Sequence, residues 1–169
     1  MGTEPHLYIT RSDDLRYVME CIAALECCSI VGVSNIGKST LLRSLYCRAV
    51  REQYLGPKSN EYIFTYIDFN LMVEMTEQAF YELILRTTLA ELGQSKVSET
   101  LLSQVNRSYK NVVNPANPFA VPLSFNEGII AISEGLDQRI IFLFDEFDEA
   151  FSTIEGRVFL NLRALKDKY

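Results

Sequence analysis

The stretch that decides the fold of this 169-residue chain reads Gly32-Val33-Ser34-Asn35-Ile36-Gly37-Lys38-Ser39. It fits the pattern G-x-x-x-x-G-K-[ST]. A short apolar run, Cys28–Val31, precedes it and predicts a buried strand, whereas Thr40–Tyr46 follows it with the apolar spacing of a helix. A strand, a glycine-rich loop and a helix in this order predict that the pattern is a functional motif and not a chance glycine-rich turn.

A loop of this kind, the P-loop or Walker A motif, binds phosphate. Its backbone N–H groups curl around phosphate oxygens, and the positive end of the following helix dipole adds to the attraction. We expect Lys38 to reach the β- and γ-phosphates and Ser39 to hold Mg²⁺. The predicted nucleotide-binding residues are Gly32, Val33, Ser34, Asn35, Ile36, Gly37, Lys38, Ser39 and Thr40.

A second motif follows far downstream, where the apolar run Ile140–Phe144 ends in Asp145 and Glu146. A buried strand projects its last carboxylate from the carboxyl edge of the sheet, where open α/β sheets bind ligands. We expect Asp145 to ligate Mg²⁺ opposite Ser39, either through water or directly, and Glu146 to polarise the water that attacks the γ-phosphate. The predicted metal ligands are thus Ser39 and Asp145, and the predicted catalytic residues are Glu146 and Lys38.

Other segments fit the same alternation of strands and helices. Tyr62–Phe69 is rich in aromatic and β-branched residues and predicts a strand. Asp68, near its end, is either a turn cap or a contact of the site, with the turn cap favoured. Thr76 is expected to cap a helix that runs to about Leu92. Residues 94–123 are polar and rich in proline at one end, which predicts a variable surface insert with a short helix around Glu99–Tyr109.

Two capping boxes, Ser124-x-x-Glu127 and Ser152-x-x-Glu155, predict the starts of two further helices. The alternation of elements favours an α/β fold with a mostly parallel sheet, formed by one domain over residues 1–169.

Composition excludes several classes of protein. The formal net charge is −6, so direct binding of nucleic acid by this segment is not expected. The apolar stretches are shorter than a membrane span, and residues 1–6 lack the features of a secretory signal, so we expect a cytoplasmic protein without membrane contact. The four cysteines form no C-x-x-C pair, and with one histidine they give no zinc set; we expect them to be buried in a reducing compartment.

With both motifs placed, the chain resembles the P-loop NTPases of the AAA+/STAND group, notably the archaeal-type ATPase domains. The resemblance covers the whole chain and is carried by G-V-S-N-I-G-K-S-T-L-L, Y-I-F-T-Y-I-D and I-I-F-L-F-D-E-F-D-E, the last being the Walker B region. It implies a three-layer α/β/α sandwich with ATP and Mg²⁺ as ligands, and it assigns Ser39 and Asp145 to the metal and Glu146 to catalysis.

Domains of this group continue into a further strand that carries a polar sensor residue and lies between the P-loop strand and the Walker B strand. The sequence ends at Tyr169, before such a strand. We therefore expect a sandwich that is incomplete at the C-terminus, in a piece of a longer protein or a degenerate copy. Its sheet would have a central gap or would pair the two motif strands directly.

The expected function is ATP binding with Mg²⁺-dependent hydrolysis to ADP and phosphate, used as a conformational switch in a larger protein. Expected partners are ATP and ADP, together with downstream domains or the protomers of a homo-oligomer. Two alternatives stay open: a nucleotide-binding interaction module without hydrolysis, and a DNA-associated AAA+ ATPase, which would need a basic domain elsewhere. GTP is less expected because no Asn-Lys-x-Asp motif is present.

Overall fold

The computed structural model describes residues 11–33, 36–95 and 97–169. Helices make up 69% of these residues. The elements in chain order are α1 (Ser12–Ala23), α2 (Lys38–Tyr46), α3 (Arg48–Leu55), β1 (Tyr62–Asp68), α4 (Glu77–Gln94), α5 (Glu99–Val113), α6 (Ala120–Gly135), β2 (Arg139–Asp145), α7 (Asp148–Thr153) and α8 (Gly156–Lys168).

The two strands β1 and β2 pair in parallel and form the one sheet of the described residues. Their register places Tyr62 opposite Arg139 and Asp68 opposite Asp145. Both strands consist mainly of aromatic and β-branched residues, which fit a pleated, buried surface. Because parallel strands end at the same edge, this register brings the two aspartates side by side at the carboxyl edge of the sheet.

Each face of the sheet is covered by its own hydrophobic core. Successive side chains of a strand point to opposite faces. Ile63 and Ile67 of β1 therefore pack against the core built by α4, α5 and α6. Tyr62 and Phe64 contribute instead to the core shared with α1, α2 and α3. The helix that follows the P-loop thus lies on the second face, against the strand that ends in Asp145.

The predicted three-layer α/β/α sandwich with a mostly parallel sheet is wrong, because the described chain is mostly helical and has only two strands. Cys28–Val31 forms no strand, and Val31 is 89% exposed. A strand needs a neighbour to satisfy its backbone N–H and C=O groups, and β2 pairs with β1 instead. The predicted insert at 94–123 adds to the helical share, since it contains α5 and the start of α6.

Of the predicted helix starts, one agrees with the structure and two do not. Thr76 caps α4 as predicted, since its hydroxyl accepts a hydrogen bond from the Ala79 N–H at 3.2 Å. Both predicted capping boxes are wrong, because Ser124 lies inside α6 and Ser152 inside α7. Proline is tolerated in the first turn of a helix, so α6 begins at Ala120 and includes Pro122 in that turn.

No helix in the described ranges has both the length and the apolar character needed to cross a membrane. All four cysteines are free thiols. Cys21 is buried, but Cys27 and Cys28 are exposed, so the expectation of burial is wrong for these two. Both residues lie in the segment after α1, which forms neither a helix nor a strand.

Candidate functional site

The P-loop residues Gly32–Thr40, here called the loop half of the site, lead into the amino end of α2. Gly37 occupies the N-cap position with φ +88°, a left-handed conformation that favours glycine. Ser34 and Asn35 lie outside the described residues. Within the described part of the chain, α2 starts without a side-chain cap and without an acidic residue in its first turn. Its first N–H groups therefore remain available to an anion.

The Lys38 side chain folds back over the loop half. Its Nζ donates to the carbonyl oxygen of Gly32 at 2.9 Å and to that of Val33 at 3.3 Å. The Arg11 guanidinium donates to the carbonyl oxygen of Ile36. These contacts fix the loop locally and place an ammonium group where it can exchange carbonyl partners for phosphate oxygens.

Asp145 and Glu146 form the strand half of the site, and the structure brings it against the loop half. Ser39 Oγ donates to Asp145 Oδ1 at 3.0 Å, although the two residues are 106 positions apart in the chain. The Glu146 N–H donates to the same oxygen at 3.1 Å. Asp145 is 5% exposed, so this carboxylate is held almost out of solvent by its hydrogen-bond donors. The two predicted metal ligands therefore meet.

Glu146 has a different environment from its neighbour. It is exposed, and its φ of +53° is unusual for a residue other than glycine. Phe144 and Phe147 on either side pack together, with ring centroids 5.2 Å apart. They belong to a phenylalanine cluster made of Phe69, Phe80, Phe144, Phe147 and Phe159. Because both flanking rings turn into this cluster, the Asp145–Glu146 dipeptide forms a sharp turn that directs Glu146 outward.

Sequence reasoning missed two polar residues of the site, Tyr66 and Arg43. The Tyr66 hydroxyl donates to Asp145 Oδ2, so both carboxylate oxygens of Asp145 are engaged. Burial raises the pKa of Tyr66 to about 12, and the hydrogen bond to Asp145 acts in the same direction. The Arg43 guanidinium lies near the Tyr66 hydroxyl, and this proximity raises the pKa of Arg43. The alternation of β1 places Tyr66 on the face of Asp68, but only the pairing of β1 with β2 reveals its partner.

Asp68 is the second acid at this edge of the sheet, and it does not join the site. Its side chain accepts a hydrogen bond from the Asn70 N–H at 3.0 Å and caps the turn after β1. This confirms the favoured expectation that Asp68 is a turn cap. Of these two acids, Asp145 is the one that accepts a hydrogen bond from α2, through Ser39.

The separation of Ser39 Oγ and Asp145 Oδ1 also fits a magnesium ion. Mg²⁺ binds oxygen octahedrally at about 2.0–2.1 Å, which places adjacent ligands about 2.9 Å apart. The observed 3.0 Å matches two adjacent positions of such an octahedron without movement of either element. The described residues contain no group of three or more His, Cys, Asp or Glu side chains suited to hold a metal. The remaining ligands would therefore be phosphate oxygens and water, which Mg²⁺ commonly keeps.

No protein-family model, curated protein or solved structure matches this chain. What the site can do is therefore argued from its own geometry: an open helix amino end, an adjacent lysine, and a hydroxyl–carboxylate pair at a sheet edge.

Proposed function

We propose that this chain binds Mg-ATP at Gly32–Thr40 and hydrolyses it to ADP and phosphate, as a conformational switch in a larger cytoplasmic protein. The observation that supports this most is the 3.0 Å contact between Ser39 of the loop half and Asp145 of the strand half. A glycine-rich loop alone has many causes. A P-loop serine that meets a buried aspartate at the end of a distant strand is the arrangement that Mg-nucleotide chemistry needs.

The phosphates would be held by the backbone N–H groups at the start of α2 and by Lys38. Because the first turn of α2 has no acidic side chain, no carboxylate of that turn repels the triphosphate. Lys38 already donates to two acceptors of the loop, so binding requires a change of partners and not a new side-chain position.

Ser39 and Asp145 would hold Mg²⁺, which neutralises phosphate charge when it is bound. Glu146 would accept a proton from the water that attacks the γ-phosphate, and the phosphorus–oxygen bond to ADP would break. Its exposure leaves the carboxylate free to approach a water molecule above the loop. The four free thiols suit the reducing cytoplasm. The partners would be ATP and ADP, with further domains or protomers that sense the nucleotide.

Calorimetric titration with Mg-ATP tests the binding step. We expect binding by the wild type and a loss of about 100-fold or more in Lys38→Ala, since two charge-assisted hydrogen bonds to phosphate disappear. Lys166→Ala is the matched control, because Lys166 lies in the last turn of α8 and should not change affinity. A folded wild type that does not bind Mg-ATP, or equal affinity in Lys38→Ala, would contradict the proposal.

Phosphate release separates the enzyme from a nucleotide-binding interaction module without hydrolysis. The exposure of Glu146 and the lack of a described side-chain contact that orients it favour this second function. We expect slow turnover by the wild type, loss of turnover in Glu146→Gln with binding retained, and no change in the neighbouring control Glu149→Gln. Binding without turnover in the wild type would support the interaction module instead.

A further inference from the structure

Both carboxylate oxygens of Asp145 accept hydrogen bonds from other residues of the chain. Oδ1 accepts from Ser39 Oγ–H at 3.0 Å and from the Glu146 N–H at 3.1 Å. Oδ2 accepts from the Tyr66 hydroxyl. The Tyr66 donor is not part of the P-loop motif or of the acidic motif, and it belongs to the other strand of the sheet. It is therefore an independent restraint on the direction of the carboxylate.

The register explains why Tyr66 can reach this oxygen. In the β1–β2 pair, Asp68 lies opposite Asp145 and Tyr66 lies opposite Leu143, so Tyr66 and Asp145 are diagonal neighbours on one face. Such neighbours are within reach of a long aromatic side chain. Asp68, the nearer residue, is turned to the Asn70 N–H and does not compete.

Arg43 is a close neighbour of Tyr66. Its guanidinium lies near the phenol oxygen, while the phenol proton is donated to Asp145. Arg43 lies in α2, five residues after Lys38, so the helix that begins at the P-loop also orders the support of the acid. The chain Arg43–Tyr66–Asp145–Ser39 thus starts and ends on α2.

We propose that Tyr66 is a positioning residue for the metal ligands: by holding Asp145 Oδ2, it keeps Oδ1 directed at Ser39 and pre-forms the pair that receives Mg²⁺. This inference rests on the proposed function. A hydrogen-bond partner that orients a metal ligand typically contributes a factor of about 10–100 to metal affinity. Without Tyr66, the carboxylate is held through Oδ1 alone, and its orientation about the terminal torsion is less restrained.

The test compares nucleotide affinity with and without the metal. Calorimetry gives the Kd of ATP in excess Mg²⁺ and in EDTA, and the ratio of the two is the magnesium coupling. For Tyr66→Phe we expect the coupling to fall about tenfold while the Kd in EDTA changes less than about twofold. Arg43→Gln should reduce the coupling in the same direction by a smaller factor, and it keeps the test valid if Tyr66→Phe does not fold.

Tyr46→Phe is a matched control. Tyr46 is also a half-buried tyrosine that donates to a carboxylate, that of Glu91, and its ring lies 6.1 Å from that of Tyr66. Among the described hydrogen bonds, that of its hydroxyl goes to Glu91 and not to Asp145, so we expect the coupling of this variant to equal that of the wild type. An unchanged coupling in Tyr66→Phe, or the same loss in Tyr46→Phe, would overturn the inference.

A rise in coupling would also overturn it, since the phenol would then compete with the metal for Asp145. A wild type that binds no nucleotide under either condition would instead contradict the proposed function itself, and the inference would fall with it. A wild type that binds ATP in EDTA but shows no magnesium coupling would overturn the inference and the proposed metal site. Such a result would still agree with nucleotide binding by the loop half.

Discussion

The strand half of the candidate site and its loop half are held by different kinds of contact. Asp145 and Glu146 follow a strand that is paired along its whole length, and the rings on either side of them are packed in the phenylalanine cluster. The loop half follows a segment with no strand partner among the described residues, in which Val31 is 89% exposed. Its loop carbonyls accept hydrogen bonds from Lys38, which is nearby in the chain, and from Arg11, which is 25 positions from Ile36.

This difference indicates that the two halves should respond differently to mutation. Damage to the packing behind the strand half should lower global stability, because those contacts join distant parts of the chain. Damage to the loop half should change nucleotide binding more than folding. The hydrogen bond between Ser39 and Asp145 joins the loop half to the strand half.

Phe80→Ala should have the largest effect. Phe80 is fully buried at the centre of the phenylalanine cluster, 5.4 Å from Phe69 and 5.7 Å from Phe159 between ring centroids. We expect the free energy of unfolding to fall by about 3–5 kcal/mol in urea denaturation. Phe119→Ala is the control, because Phe119 is 79% exposed and should cost under about 1 kcal/mol. Similar losses in both variants would show that the cluster does not anchor the strand half.

Gly37→Ala addresses the loop half. No atom would clash with the new Cβ, but φ is +88°, so the cost is backbone strain of about 1–2 kcal/mol. We expect this loss in thermal unfolding together with weaker Mg-ATP binding. Gly93→Ala in the last turn of α4 also adds a Cβ in open space, and it should stabilise by about 0.4–1 kcal/mol. A loss of stability in both variants would contradict the assignment of strain to Gly37.

Thr65→Val should strengthen the strand half. The Thr65 side chain is fully buried in β1, and its hydroxyl has no hydrogen-bond partner among the described residues. Valine has the same shape without the unsatisfied group, so we expect a gain of about 1 kcal/mol in the free energy of unfolding. Thr88→Val is the matched control, since Thr88 is equally buried but donates to the Ile84 carbonyl at 2.7 Å. That variant should lose about 0.5–1.5 kcal/mol.

Glu146→Gly gives the smallest expected change in stability and separates function from folding. Glycine relieves about 1–2 kcal/mol of left-handed strain and costs about 0.5–1 kcal/mol of backbone entropy, so a net gain of about 0.5–1 kcal/mol is expected. Turnover should disappear at the same time. Glu149→Gly lies in α7 and should lose about 1 kcal/mol with turnover retained. A loss of stability in Glu146→Gly would show that the Glu146 side chain is a structural contact.

Local patterns predicted much of the secondary structure. The helical spacing of Leu15, Val18, Met19, Ile22 and Leu25 predicts an amphipathic helix. The first four are buried on one face of α1, whereas Leu25 lies beyond the end of the helix and is 43% exposed. The predicted strands at Tyr62–Phe69 and in the run before Asp145 agree with β1 and β2 to within one residue. These predictions succeed because the hydrophobic periodicity of a helix or a strand can be recognised within a short segment of sequence.

The errors share a physical cause, because each depended on something beyond the segment itself. Cys28–Val31 has the composition of a strand, but a strand exists only where another strand accepts its hydrogen bonds. The polar composition of residues 94–123 predicts a surface insert, yet Val105 and Val112 of α5 are fully buried. Their burial depends on the packing of α5 against α6, which polar composition did not indicate.

The sequence by itself determined the residues of the site: the glycine pattern with Lys38 and Ser39, and the acidic pair Asp145–Glu146 after an apolar run. Spacing along the chain suffices there, because a loop and the end of a strand are local structures. Only the tertiary structure decided that Ser39 meets Asp145, that Tyr66 joins them and that Asp68 does not. Those outcomes depend on the register between two strands 77 positions apart, and register is set by packing across the whole chain.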